Sequence, residues 1–247
     1  ILIIIVFLSI VLTNLLTNIS SIKEKIEKFE FSDNKENQKF FNELEDDLKR
    51  NENFSDKDKF EDIAALLDFF IRSDEIKRAE KCFSKLKALT RSYEDNFWDC
   101  KTILLEGNIN LKKSNYKKAL ELYLKAQKKA EKLEDKKALA QVFNNIGSVY
   151  FHLGDHQEVE KYLLKSAEIK KKLGNKKEVF KIYNNLTSLY SQLQKFKKAE
   201  EYLQKSLEFA PKKKKPFALL NNLAGIYLNQ GKYNQSLELL HDIVSGE

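Results

Sequence analysis

Apolar residues recur at helical spacing on both sides of a short break in residues 140–173. Gly154 and Asp155 form the break. Glycine readily adopts the left-handed conformation that ends a helix, and aspartate accepts hydrogen bonds from the first backbone N–H groups of the next one. The segment therefore predicts two amphipathic helices joined by a tight turn. The first stripe comprises Phe143, Ile146, Val149 and Tyr150, and the second comprises Val159, Tyr162, Leu163 and Ser166.

The same pattern returns about every forty residues. Further copies occupy residues 180–211 and 217–244, and weaker ones begin near residues 60 and 100. Such a period is typical of helix pairs that stack on one another, and it does not fit one globular core. Only two prolines and seven glycines occur in 247 residues, which also favours an all-helical chain.

Gly147 lies inside the first predicted helix of the copy at 140–173. Glycine within a helix costs about 1 kcal/mol relative to alanine. We therefore expect a packing reason for it, namely a close approach of the second helix.

The pattern resembles the tetratricopeptide repeat, whose copies share a small residue at position 8, an aromatic residue at 11 and alanine at 20. Leu67 and Asn110 depart from it. The spacing near forty is similar to that of the kinesin-light-chain and bacterial-regulator branch. Position 8 falls on Leu67, Gly107, Gly147, Thr187 and Ala224, position 11 on Phe70, Asn110, Tyr150, Tyr190 and Tyr227, and position 20 on Ala79, Ala119, Val159, Ala199 and Ser236.

The resemblance implies an all-α fold: a right-handed α-solenoid of about five helix-turn-helix pairs. We expect an apolar leader or anchor at 1–20 and a charged linker at 21–58, ending in a polar turn at 51–58. The repeat array would then fill 59–247. A helix through Phe40, Phe41, Leu44 and Leu48 would cap the first repeat. The predicted repeats lie near 60–90, 100–133, 140–173, 180–211 and 217–244.

The first 16 residues carry no charge and include an almost unbroken apolar run. That length suits the core of a signal peptide and approaches the roughly 20 residues of a membrane span. Signal peptide and membrane anchor remain alternatives, and both place the protein at the cell envelope. The resemblance then allows two roles: a free-standing interaction scaffold, or the extracytoplasmic sensory region of a larger bacterial sensor kinase or transcriptional regulator, truncated at Glu247.

The formal net charge is +7, which raises the possibility of a nucleic-acid or membrane-surface partner. Lysine and glutamate are interleaved, however, as in residues 128–137, and this indicates a solvated helix surface with i,i+4 ion pairs. The lysine run 212–215 lies between two prolines and is expected to be a loop. We therefore expect a protein or peptide partner and not nucleic acid.

Paired asparagines recur at one place in three repeats, where the resemblance implies a concave, ligand-binding groove. An amide both donates and accepts hydrogen bonds, so these residues could hold the backbone of an extended peptide or could bond within the array. Lysines on the same face could meet an acidic ligand. The predicted peptide-binding residues are Asn144, Asn145, Asn184, Asn185, Asn221, Asn222, Lys101, Asn108 and Lys181, and further groove candidates are Lys112, Gln141, Ser148, His152, Ser188, Gln192 and Asn229.

No pattern of catalytic chemistry stands out in the sequence. His152 and His156 lack a nearby third ligand, so no metal site is predicted. A phosphate-binding glycine loop and a nucleophile elbow are absent from the sequence, and no cofactor is expected. Cys82 and Cys100 would lie on neighbouring helices, as free thiols or, in an oxidising compartment, as a disulfide. The sequence predicts a binding protein and not an enzyme.

Overall fold

The computed structural model describes residues 22–29, 34–50, 55–93, 95–210 and 217–245. Within these ranges every regular element is an α-helix, as the sequence predicts, and twelve helices are present. They are α1 (Ile22–Glu27), α2 (Asn34–Arg50), α3 (Asp56–Arg72), α4 (Ile76–Tyr93), α5 (Asn96–Lys112), α6 (Tyr116–Lys132), α7 (Lys136–Leu153), α8 (His156–Lys172), α9 (Lys176–Gln192), α10 (Phe196–Leu207), α11 (Phe217–Asn229) and α12 (Tyr233–Ser245).

The chain divides into two compact units, residues 1–126 and 127–247, and the boundary falls inside α6. In the first unit α3 packs against α4 and α5, while α1 and α2 pack against α3. The predicted capping helix is part of α2, and its Phe41 and Leu44 are buried. Phe60 on α3 stacks on Trp98 of α5, with ring centroids 4.5 Å apart.

The helix α3 begins at Asp56, whereas the sequence pattern places a polar turn over 51–58. Ser55 is the N-cap, and its side chain accepts a hydrogen bond from the backbone N–H of Asp58 at 3.2 Å. Asp56 and Asp58 both lie in the first turn, where negative charge stabilises a helix. Polar residues that indicate a turn in sequence therefore start the helix here.

In the second unit the hairpins α7–α8, α9–α10 and α11–α12 stack, with α8 against α9 and both α9 and α10 against α11. The predicted turn after α7 is confirmed. Gly154 ends α7 with a φ of 77°, and Asp155 caps α8 by accepting from the backbone N–H of Glu158 at 3.2 Å. Between α9 and α10 the same left-handed place is taken by Gln194, with a φ of 58°.

Gly147 has the packing reason that we expect from its place in a helix. A Cβ atom there would lie 3.1 Å from Cδ2 of Leu163 and 3.6 Å from the backbone oxygen of Val159. The contact with Leu163 would be tighter than ordinary van der Waals contact, so the glycine lets α8 lie close against α7.

The predicted leader at 1–20 and the lysine loop at 212–215 lie outside the described residues. Among the helices that the structure describes, none combines the length and the apolar character that crossing a membrane requires.

Candidate functional site

A slot opens between α7 and α9, with residues of α8 at its base. Its volume is about 280 Å³. Each of the two flanking helices is the first helix of a repeat, and we refer to this cavity as the α7–α9 slot. It is lined by Asn144, Gly147, Ser148, Phe151 and His152 from α7, Val159 and Leu163 from α8, and Asn185, Ser188, Leu189 and Gln192 from α9.

The slot exists because α7 and α9 are further apart than α9 and α11, which are also the first helices of two successive repeats. α9 packs directly against α11, and Asn222 closes that contact by donating to Oδ1 of Asn184 at 2.7 Å and to its backbone oxygen at 3.2 Å. The structure describes every residue of α7 and α9, and the backbones of these two helices do not pack as closely. Their separation leaves Val159 and Leu163 of α8 at the base of a groove.

Hydrogen-bonding side chains face each other along the two edges of the slot. Asn144, Ser148 and His152 follow one another at four-residue intervals on α7, which corresponds to a rise of about 6 Å per step. Asn185, Ser188 and Gln192 occupy the opposite edge on α9. Two residues of an extended chain span about 6.6–6.8 Å, so the steps nearly match alternate residues of an extended peptide.

The base of the slot is apolar. Val159, Leu163 and Leu189 are buried beneath the polar edges. Phe151 lies at the rim with 47% of its surface exposed, and its ring stands edge-on to the His152 ring with centroids 5.8 Å apart. A polar rim over an apolar base is the usual composition of a site that holds a ligand by shape and orients it by a few hydrogen bonds.

The structure brings six of the predicted groove residues together in this slot and places the others elsewhere. Asn184 and Asn222 bond to each other, which is the alternative in which the asparagines serve the array. Asn145 is half-buried on α7, and Asn221 and Asn229 are exposed on α11. The six residues in the slot are Asn144, Ser148, His152, Asn185, Ser188 and Gln192.

The predicted lysines lie outside the slot and have carboxylate partners. Lys101 on α5 is 2.7 Å from Glu61 of α3, and Lys181 is 2.8 Å from Glu178 on its own helix. Lys112 is 3.5 Å from Asp74. Asn108 accepts a hydrogen bond from the hydroxyl of Tyr123 at 2.8 Å. Glu178 lies one turn from its lysine, whereas the other three partners lie between 15 and 40 residues away along the chain, so only the fold reveals them.

Sequence reasoning missed the residues that make the slot more than a row of polar groups. Phe151 is not among the predicted site residues, and Leu163 and Leu189 are recognisable in sequence only as core residues. The position of Phe151 in the sequence does indicate that it could belong to the site. It stands three residues after Ser148 and one before His152, at the end of the face that carries the predicted groove residues.

A second polar cluster joins α8, α9 and α10. Glu160 accepts hydrogen bonds from the hydroxyls of Tyr190 and Tyr202 and from Lys198, whose Nζ is 2.6 Å away. Burial alone would raise the pKa of Glu160, but the hydrogen bonds from Lys198, Tyr202 and Tyr190 hold it below its ordinary value. Burial and the bond to Glu160 raise the pKa of Tyr202. The members bind one another, so the cluster joins successive repeats.

The first unit contains a cavity of about 390 Å³ of different character. Three basic and three acidic side chains line this cavity. They are Lys87 and Arg91 of α4, Lys125 of α6, and Asp95, Asp99 and Glu106 at the start of α5 or within it. At its wall the buried hydroxyls of Thr90 and Thr102 are 2.8 Å apart, and Thr90 also donates to the backbone oxygen of Leu86. Opposite charges that can neutralise one another do not define a ligand there.

Within the described residues no group of three metal-binding side chains comes together. His152 lies in the slot, while His156 stands at the start of α8 with its Nδ1 atom buried and without a hydrogen-bond partner. Cys82 and Cys100 are both free and buried, and the Cys100 thiol is 3.6 Å from the backbone oxygen of Ala126, to which it donates. Burial raises the pKa of Cys82 to about 11.

Sequence profiles of the tetratricopeptide repeat match residues 138–212 and 218–245. No curated protein sequence matches the chain. The segment 138–212 contains the whole of the α7–α9 slot.

Solved structures of similar fold include BtubC (BKLC) from P. vanneervenii, with a TM-score of 0.64 and 16% identity over 90% of this chain and 89% of that one. A Rap protein complexed with Competence and Sporulation Factor gives a TM-score of 0.65 and 18% identity, over 83% of this chain and 58% of that one. NprR in complex with its cognate peptide NprX gives 0.54 and 17%, over 92% and 68%. At these identities the likeness concerns the fold.

Proposed function

Because the chain belongs to the tetratricopeptide-repeat family, whose stacked helix pairs are a protein-interaction scaffold, we propose that it binds an extended peptide segment of a partner protein in the α7–α9 slot. The observation that carries the proposal is the pairing of polar edges. Asn144, Ser148 and His152 face Asn185, Ser188 and Gln192 across an apolar base. The NprR structure, which contains that protein's cognate peptide, supports this use of the fold.

The edges suit a peptide backbone better than a particular set of side chains. Each asparagine amide offers a donor and an acceptor, which are the two groups that every peptide unit presents. Ser148 donates to the backbone oxygen of Asn144 at 3.2 Å, so its oxygen can still accept from a ligand N–H. The slot is largely preformed, which lowers the entropy cost of binding. Binding in this proposal includes no chemical step.

The experiment selects 12-residue peptides from a random phage-displayed library on the immobilised 247-residue protein and measures their affinity by fluorescence polarisation. Asn144→Ala combined with Asn185→Ala removes one amide from each edge. Two lost hydrogen bonds of about 0.5–1.5 kcal/mol each should weaken binding roughly five- to 150-fold. Helical content should not change, because both amides lie at the rim of the slot.

The matched control is Asn221→Ala combined with Asn234→Ala, which removes two exposed amides outside the slot. The control should bind the selected peptides as the unaltered protein does. Equal affinity of the slot variant and the control, both folded, would refute the α7–α9 slot as the binding site.

A further inference from the structure

We propose that the α7–α9 slot selects its peptide by one uncharged, apolar side chain, aliphatic or aromatic, that enters between the polar edges and rests on Val159, Leu163 and Leu189. This inference rests on the proposed function and adds to it the chemistry of the ligand. The edges hold the backbone, and the base sets which side chain is accepted. We call that side chain the anchor.

The size of the slot fits an anchor side chain. Its volume of about 280 Å³ lies below the roughly 300–1,000 Å³ of pockets that enclose a drug-sized molecule or cofactor. Gly147 contributes to the shape of the base. Because it has no Cβ, Leu163 lies against the α7 backbone, and the leucine fills the space beside the glycine as part of the base.

The charge of the lining determines the class of anchor. A third of the chain, 33%, is Asp, Glu, Lys or Arg, yet none of the eleven residues that line the slot belongs to these types. A carboxylate or ammonium group that enters the slot would lose water, and no Asp, Glu, Lys or Arg side chain lines the slot to compensate for that loss, which is strongly unfavourable. Burial of an apolar group there is favourable by roughly 25 cal/mol per Å² of surface removed from water.

Phe151 extends the apolar surface to the rim. About half of the surface of Phe151 is exposed, and the residue lines the opening, where an entering side chain would cover it. Aromatic side chains that stand partly exposed at a binding surface often carry much of the binding energy, because covering them removes a large apolar area from water. The anchor should therefore contact Phe151 on one side and the base on the other.

The same peptide library tests the inference with the unaltered 247-residue protein and with variants of it. Peptides selected on the unaltered protein should share one position occupied by Leu, Ile, Val, Met, Phe, Tyr or Trp. Their affinity should change less than about twofold between about 50 and 200 mM salt, because no ion pair forms. Phe151→Ala, a change at an exposed position, should weaken these peptides about five- to tenfold.

Two substitutions at one residue probe the slot further. Ser188→Trp fills the slot and should abolish selection of these peptides, whereas Ser84→Trp, at an exposed serine on α4, should leave it unchanged. Ser188→Asp places a carboxylate beside the base and should change the selected anchor from apolar to Lys or Arg. Circular dichroism of each form establishes that it is folded. Phe151→Ala supplies the test if Ser188→Trp does not fold.

The outcomes separate the inference from the proposed function. Selected peptides that bind in the slot, as shown by the Asn144→Ala and Asn185→Ala variant, but carry acidic or basic anchors or bind with a strong salt dependence, overturn the inference and leave the proposed function intact. Phe151→Ala without effect on apolar-anchored peptides also overturns it. If none of the selected peptides depends on the slot for binding, both the inference and the proposed function are overturned.

Discussion

The aromatic ring of Tyr123 on α6 covers Gly107 on α5 so closely that no side chain fits between them. A methyl group at Gly107 would lie 2.8 Å from Cδ1 of the ring and 3.1 Å from Cζ. The tyrosine cannot move aside easily, since it is fully buried and its hydroxyl donates to Asn108 at 2.8 Å. The glycine at this place in the repeat is therefore required by its partner on the second helix.

We predict that Gly107→Ala destabilises the protein. Alanine would gain about 1 kcal/mol of helix propensity, but overpacking against a fixed ring costs about 1–3 kcal/mol and should outweigh that gain. Gly225→Ala on α11 is the matched control, because nothing lies within 4 Å of the added methyl group. Thermal unfolding followed by circular dichroism should show a lower midpoint for the first variant and an unchanged or higher one for the second. A higher midpoint for Gly107→Ala would contradict the packing argument.

A second prediction concerns Glu160. Glu160→Gln should destabilise the protein by about 1–3 kcal/mol at neutral pH, because the ion pair with Lys198 is lost and the buried hydroxyls of Tyr190 and Tyr202 lose a charged acceptor. Urea unfolding at pH 7 measures the difference. Glu168→Gln, which removes an exposed pair with Lys172, is the control and should have little effect.

The stabilisation of the fold by the Glu160 carboxylate should be lost as the pH is lowered. The folded-state pKa lies below the ordinary value of 4.5, so the carboxylate stabilises the fold fully above that value. The contribution is lost as the pH falls through the folded-state pKa. Urea midpoints of the unaltered protein and Glu160→Gln should therefore converge below about pH 4.5. A difference that persists unchanged in that range would mean that the charge of Glu160 is not what stabilises the cluster.

Much of the fold follows from local sequence pattern. The stripe through Phe143 and Ile146, the turn at Gly154 and the cap at Asp155 are all determined by residues within one or two helical turns. Their spacing therefore predicts them. The left-handed turn at Gln194 is not predictable in the same way, because stacking of α9 and α10 imposes a conformation that glutamine does not favour.

The candidate site is only partly accessible to sequence reasoning. The asparagine pairs at 144–145, 184–185 and 221–222 are identical in sequence, yet Asn144 and Asn185 line a slot while Asn222 bonds to Asn184. The difference comes from the distance between successive first helices, which is set by packing along whole helix pairs. No local pattern encodes that distance, so the sequence predicts the groove face but not which part of it is open.

A third prediction concerns Cys82. Burial raises the pKa of its thiol to about 11, and the thiolate is the form that reacts. Cys82 and Cys100 are both buried, so iodoacetamide at pH 8 should modify neither in the folded protein and both in urea. Mass spectrometry of the intact protein counts the modifications. Rapid labelling of Cys82 without denaturant would show that α4 opens in solution and would contradict the packing described here.

The last prediction concerns the attachment of α2 to the repeats. Arg78 on α4 donates to Glu45 at 2.7 Å, to Asn42 at 2.9 Å and to Gln38 at 3.0 Å, and its guanidinium lies 5.9 Å from the centre of the Phe41 ring. All four partners lie on α2. A planar guanidinium can direct several N–H groups at once, and an ammonium group cannot reproduce that arrangement.

Arg78→Lys should therefore loosen α2 nearly as much as Arg78→Ala, with faster hydrogen–deuterium exchange in residues 34–50 and little change in α9. Lys81→Ala is the control, since Lys81 is exposed and reaches Glu45 only at 3.4 Å. Full retention of protection in Arg78→Lys would show that a single positive charge is sufficient. If exchange in residues 34–50 were as slow in all three variants as in the unaltered protein, the buried side chains of Phe41 and Leu44 would be sufficient to hold α2 without the arginine.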